Sequence, residues 1–171
     1  RCTSGDVYDE VTIYKVSSGS NGVDGANYTP NLLLKGNVKI GPNPTSYRLG
    51  GYAYDGELTE GETYTLTVCA KVGVPGENIQ FLCGNDRGNV LTLTTNTEKV
   101  VSRTFQLPAS STGYGAMGIY QYPQSSTNHG DTYVKWAVLT KGNTPQTEWI
   151  PAASEMVGED AITVILTNES H

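Results

Sequence analysis

The sequence predicts an all-β protein: a β-sandwich jelly roll of about eight antiparallel strands, with short strand-like segments at both termini. Three observations carry this reading. Thr, Tyr, Val and Leu dominate the ordered-looking stretches, with 20 glycines and only 16% charged residues in 171, a composition suited to pleated, half-buried surfaces. Short alternating runs recur about every 8–12 residues between turn-forming clusters such as GPNP, DGELTEGE, GVPGE, TNTE and PQSSTNHGD, the spacing of a sandwich or barrel. No stretch carries a convincing helical period.

Taken in order, residues 1–18 contain the run VTIYKV (11–16) and read as the end of a preceding segment. Arg1 in place of Met suggests a piece of a longer protein. Residues 19–30 form a Ser/Gly/Asn-rich linker, a flexible composition. The body, 31–155, holds strands at 32–40, 47–54, 63–72, 78–83, 89–95, 99–107, 114–122 and 132–140. Residues 156–171 read as a linker and the start of a following module, with another strand-like run at 161–166. Jelly-roll connectivity places the first, eighth, third and sixth strands in one sheet, and the second, seventh, fourth and fifth in the other.

Alternation assigns faces. In YTLTVCAK, Tyr64, Leu66, Val68 and Ala70 point inward and Cys69 outward; in NIQFLC, Ile79, Phe81 and Cys83 point inward. The two sulfurs therefore diverge, and free thiols are expected. Cys2 carries no signal. Trp136, in phase with Val134 and Val138, is assigned to the core.

The chemistry expected is limited. A net charge of −6 and scattered basic residues argue against binding nucleic acid through its phosphates. A neutral or cationic partner fits better, although acidity also serves solubility. No apolar run approaches the roughly 20 residues that cross a bilayer, and no secretory signal is seen; membrane insertion is not expected. There is no GxSxG, HExxH, P-loop or Cys/His cluster, so the chain reads as non-catalytic. His171 is terminal, and His129, in the loop STNHGD, reads as solvated. Asp55, Glu57, Glu60 and Glu62 surround a turn; they suit solvation, and a hard cation could use them with carbonyls, but EF-hand spacing is lacking. No cofactor is expected. Asn27-Tyr28-Thr29 and Asn168-Glu169-Ser170 match a glycosylation sequon, which matters only in a eukaryotic secretory protein.

The same alternation outlines a ligand face. With Leu49 and Ala53 inward, Arg48, Tyr52 and Tyr54 face out; with Met117 and Ile119 inward, Tyr120 and Tyr122 join them, beside Gln80, Leu82, Thr92 and Thr94. Flat aromatic rings flanked by hydrogen-bonding groups match a sugar's apolar face and hydroxyl rim. The ligand-binding candidates are Arg48, Tyr52, Tyr54, Gln80, Tyr120 and Tyr122. Ordinary sheet packing also accounts for such tyrosines, since cross-strand aromatic pairs stabilise sheets by about 0.2–1 kcal/mol.

The segment VKWAVLTKGNTPQTEWIPAASE (134–155) is the most specific in the chain. Lys141, Gly142, Thr147, Trp149, Pro151, Ala152 and Glu155 resemble the closing motif of a jelly-roll module in tail and fibre proteins of phages and prophages from gut bacteria. Asn31-Leu32-Leu33-Leu34 and GETYTLTVCAKV (61–72) match the same modules, which are similar to galactose-binding-like, carbohydrate-binding jelly rolls. VTIYKVSSGSNG resembles the end of a preceding tail segment, so the resemblance spans about residues 8–166. It implies a non-catalytic module on a virion tail or at the cell surface, adhering to bacterial surface glycan, within a fibre that could be a homo-trimer. The alternatives are a spacer or trimerisation module without ligand, and an ancillary sugar-binding module of a secreted glycoside hydrolase. Many carbohydrate-binding jelly rolls carry an acidic calcium ligand after the opening strand; here GNVKI puts Lys39 near that place, so a structural calcium is not supported. Trp149 and Pro151 also suit a structural latch, burying apolar area and ending strand pairing.

Overall fold

A computed structural model describes residues 29–83, 88–109 and 114–156. The expected terminal segments at 1–18 and 157–171, most of the linker, Cys2, His171 and both sequon asparagines lie outside these residues. Among the described residues seven strands are present: β1 (Arg48–Ala53), β2 (Thr63–Lys71), β3 (Asn78–Cys83), β4 (Asn89–Leu93), β5 (Lys99–Gln106), β6 (Ala116–Tyr122) and β7 (Tyr133–Lys141), followed by the single turn α1 (Ala153–Met156). They form two antiparallel sheets, ordered β1-β6-β3-β4 and β5-β2-β7. This is the jelly-roll order expected from the sequence, with one strand fewer.

The missing strand is the first candidate, 32–40. A turn at residues 34–37 breaks it, with Lys35 at φ 55° and the Val38 amide bonded to the Lys35 carbonyl. Gly36 packs so closely that a Cβ there would stand 2.4 Å from the Ala137 carbonyl oxygen and 2.7 Å from Asn31 Nδ2. The segment instead stitches the two sheets together through isolated bridges, Leu33 to Tyr54 beside β1 and Ile40 to Val134 on β7. Leu33 is fully buried in the core it closes.

That core lies between the sheets. Leu66, Val68, Ala70, Val134, Ala137 and Leu139 face Ile79, Phe81, Cys83, Leu93, Met117 and Ile119. The inward sets expected on β2 and β3 are correct, and Cys69 and Cys83 are free thiols. Trp136 is a correction. Cys69 pairs with Trp136 but Ala70 with Val134, leaving Lys135 as an extra residue that reverses the alternation. Ala137 and Leu139 enter the core, while Trp136 stands half-buried on the outer side. His129 is another correction. It is 1% exposed, not solvated, and its Nδ1 lies 2.7 Å from Glu77 Oε2. Its amide bonds to the Pro44 carbonyl, and its carbonyl accepts from Thr132 Oγ1. The loop thus folds back under the end of the sandwich.

The closing segment forms the latch. Asn31, 0% exposed, spends its whole side-chain capacity joining the start of the body to its end. Its Nδ2 donates to the carbonyls of Ala137 and Ile150, each at 3.2 Å. Its Oδ1 accepts from the amides of Leu33 at 3.0 Å and Leu139 at 2.9 Å. Beside it, the Asn31 amide donates to the Pro151 carbonyl, and Glu155 accepts from the amides of Lys35 and Ala152. Between β7 and this clasp, the chain crosses the outer face of the β5-β2-β7 sheet. Gly142, at φ 95°, turns it; Thr65 Oγ1 donates to the Gly142 carbonyl, and the Gln146 amide donates to Thr67 Oγ1. Thr65 and Thr67, outward on β2, are consequently buried.

Two variants test the clasp. Asn31→Ala leaves two amides and two carbonyls without their partner and should lower unfolding stability by about 3 kcal/mol. Asn31→Asp keeps the acceptor but aims a carboxylate oxygen at two carbonyls. This variant should be destabilised at pH 7 and regain part of the loss at pH 4, where the protonated acid donates again. Urea unfolding at the two pH values measures both effects.

Candidate functional site

The outer face of the β1-β6-β3-β4 sheet is the place where the sequence expected a ligand. The structure keeps part of that assignment and corrects the rest. Tyr52 is 3% exposed within the core, its hydroxyl donating to the Val38 carbonyl at 3.1 Å. Tyr54 is also turned inward against the core, beside the Cys83 thiol. The cause is a bulge: Arg48 pairs with Tyr120, but Gly50 already pairs with Ile119. Leu49 and Gly50 share one position, the alternation inverts, and Tyr52 points in while Ala53 is exposed.

The remaining candidates do converge. Arg48 on β1, Tyr120 on β6, Gln80 on β3 and Thr92 on β4 occupy one register row across all four strands. Asn78 pairs with Tyr122 in the adjacent outward row, and Gln80 Nε2 donates to Asn78 Oδ1 at 3.2 Å. On the other side of Tyr120, Gly51 pairs with Gly118. A Cβ on Gly118 would stand 2.7 Å from the Tyr120 ring, and one on Gly51 would be 3.7 Å from the Arg48 guanidinium. Ring and guanidinium therefore lean toward the paired, bare backbone of Gly51 and Gly118.

A third tyrosine completes the cluster. Tyr47, just before β1, packs tilted against Tyr120 at 5.1 Å and meets the Tyr122 ring edge-on at 5.2 Å. Its hydroxyl donates to that of Tyr122 at 2.5 Å. Alternation would have paired Tyr47 with inward Leu49, but it lies in a bend outside the ladder, where period-2 counting has no meaning. The Tyr47 strand position is anchored from within. Its carbonyl accepts from the Gln121 amide, and buried Gln121 Nε2 donates to the carbonyls of Asn43 and Ser46.

Tyr47, Tyr52 and Tyr54 hold their protons above the ordinary range. The hydrogen bond to Tyr122, then burial, pushes Tyr47 up to about 12. Burial alone raises Tyr52, and burial chiefly raises Tyr54. Burial also pushes the Cys83 thiol up to about 11, against a smaller opposing pull from Tyr54. The acidic turn is engaged elsewhere: Asp55 accepts from the Ser154 amide, and Glu62 pairs with Lys141. Among the described residues no group of three or more His, Cys, Asp or Glu could hold a metal ion, and no helix is long and apolar enough to cross a membrane.

The raised tyrosines fix the sign of an alkaline effect. Folded Tyr47, Tyr52 and Tyr54 hold their protons above the unfolded value near 10. Their stabilisation is complete below pH 10 and declines as pH rises through the folded values. Urea midpoints should therefore fall above about pH 10. Ultraviolet titration of Tyr122→Phe should show the phenol of Tyr47 returning toward the ordinary range.

A scan against protein-family models finds no match to this sequence, and a search of curated proteins finds none either.

Proposed function

We propose that this chain is a non-catalytic glycan-binding module whose site is the row Arg48, Tyr120 and Gln80, bordered by Tyr47, Tyr122, Asn78 and Thr92. One observation carries the reading: the Tyr120 ring covers Gly118, with the Arg48 guanidinium nearby over Gly51 and Gln80 across the other ladder from Tyr120. A pyranose laid on that ring meets an apolar surface below and hydrogen-bonding groups at both edges, the combination a sugar requires. The two outer faces also differ. The closing segment crosses one sheet over β2, whereas the tyrosine row remains half-exposed among the described residues. Adhesion to a bacterial surface glycan, from a phage-tail-like fibre or at the cell surface, rests on the resemblance of residues 134–155.

The test uses a bacterial polysaccharide array with Tyr120→Ala and Gly118→Ala. The second adds a methyl whose three nearest atoms all belong to Tyr120, so it lifts the ring without touching the core. Both variants should keep the wild-type unfolding midpoint and lose glycan binding about tenfold or more, equivalent to about 1.4 kcal/mol. Tyr52→Ala, in contrast, should unfold the module, since emptying an aromatic core site costs about 3–5 kcal/mol. A wild-type protein that binds no glycan and buries Tyr120 between subunits of a trimer would overturn the reading in favour of an assembly role.

A further inference from the structure

The charge on this face departs from that of the whole chain. The protein carries −6 overall, yet β1, β3, β4 and β6 contain no carboxylate and a single charged residue, Arg48. Three cations on the other sheet are neutralised: Lys71 by Asp131 at 2.6 Å, Lys135 by Glu98 at 2.8 Å, and Lys141 by Glu62 at 3.2 Å. Arg48 is exposed, and its guanidinium has no ion pair or hydrogen bond among the described residues. It lies over Gly51 beside the Tyr120 ring, so its forked donors are presented where a stacked sugar would end.

Resting on the glycan reading, we propose that the site selects a carboxylated sugar, a hexuronate or similar acidic residue, through Arg48. The geometry is that of three neighbouring strands. Tyr120 is in the middle, with Arg48 directly across one ladder and Gln80 directly across the other, each about 4.8 Å away in the sheet direction. The carboxylate of a hexuronate is attached to the ring itself. A ring seated on Tyr120 therefore carries its carboxylate out over one neighbouring strand and its hydroxyls over the other. Arg48 meets the first as a planar bidentate donor, and Gln80, backed by Asn78, meets the second. The overall acidity repels polyanions at long range, but salt screens that field beyond about 8–10 Å, while the contact at Arg48 acts within hydrogen-bond distance. A neutral sugar would leave the guanidinium without its matched acceptor.

The probes are hexamers of galacturonate and of glucuronate, each compared with the same hexamer after its carboxyl groups are reduced to alcohols. Wild-type protein should bind at least one native hexamer about tenfold more tightly than its reduced form. Arg48→Gln should abolish that difference, bringing the native hexamer down to the level of its reduced form. Arg103→Gln, which removes the same charge from β5 of the other sheet, should have no effect. Equal binding of native and reduced hexamers, with Arg48→Gln indistinguishable from wild type, would overturn the acidic-sugar inference while the platform reading stands, provided Tyr120→Ala still abolishes binding. Binding to neutral glycans alone would overturn it in the same way. If Tyr120→Ala changes no binding at all, the platform reading falls, and this inference with it.

Discussion

The clasp at Asn31 is the constraint on which the rest of the structure depends. A sandwich of four and three strands has a seam wherever its sheets do not meet, and here β1 and β7 border one. The opening segment fills that seam, contacting β1 through Leu33 and Tyr54 and β7 through Ile40 and Val134. Backbone bonds from Leu32, Leu34, Gly36 and Ile40 tie it to both sheets. Asn31 secures its start by bonding four backbone groups on three parts of the chain. An asparagine is the side chain that can donate twice and accept twice in one plane. Buried and fully satisfied, it specifies one arrangement, because any slip leaves several polar groups unpaired in a low-dielectric setting.

From this clasp the difference between the two outer faces follows. To reach Asn31, the chain leaving β7 must travel back across the three-stranded sheet, and Thr65 and Thr67 hold it there. The outer side of the central strand β2 is thereby buried, while β5 at the edge stays exposed. No comparable segment crosses the four-stranded sheet among the described residues, and its tyrosines cover themselves: Tyr120 covers Gly118, while Tyr47 and Tyr122 pack together. The proposed binding row is thus positioned by two ladders and stiffened from below by Gln121 and the buried Glu77–His129 pair. A rigid platform of this kind suits recognition of a ligand that is itself a semi-rigid ring.

Where alternation runs unbroken, the sequence was legible. The inward sets of β2, β3 and β6 follow from counting by two, and the strand order follows from number and spacing. Bulges defeated the same count at two places. One extra residue at Leu49–Gly50 carried Tyr52 and Tyr54 into the core, and one at Lys135 carried Trp136 out of it. A bulge is chosen by the partner strand and by packing, neither of which a local pattern contains. Gly50 and Gly51 in GGYAY were the available signal, since glycine within a strand often marks a bulge. Lys35-Gly36 likewise marked the turn that dissolved the first expected strand. Tyr47 and His129 had no such marker: one escaped the period by preceding the strand, and the other was buried by loops that meet only in three dimensions.

By itself, then, the sequence determined the all-β class, the order of strands in both sheets, the inward face of each regular strand and the freedom of Cys69 and Cys83. These properties depend on composition and on a period of two, which a chain carries locally. Only the tertiary structure decided which tyrosines form the outer face, that Tyr47 belongs with them, that Arg48 lies beside Tyr120 without an ion pair among the described residues, and that the closing segment crosses one sheet. Register across ladders decides such matters. A single inserted residue inverts every side chain beyond it, and the energetic reason for the insertion lies on strands far away in the sequence.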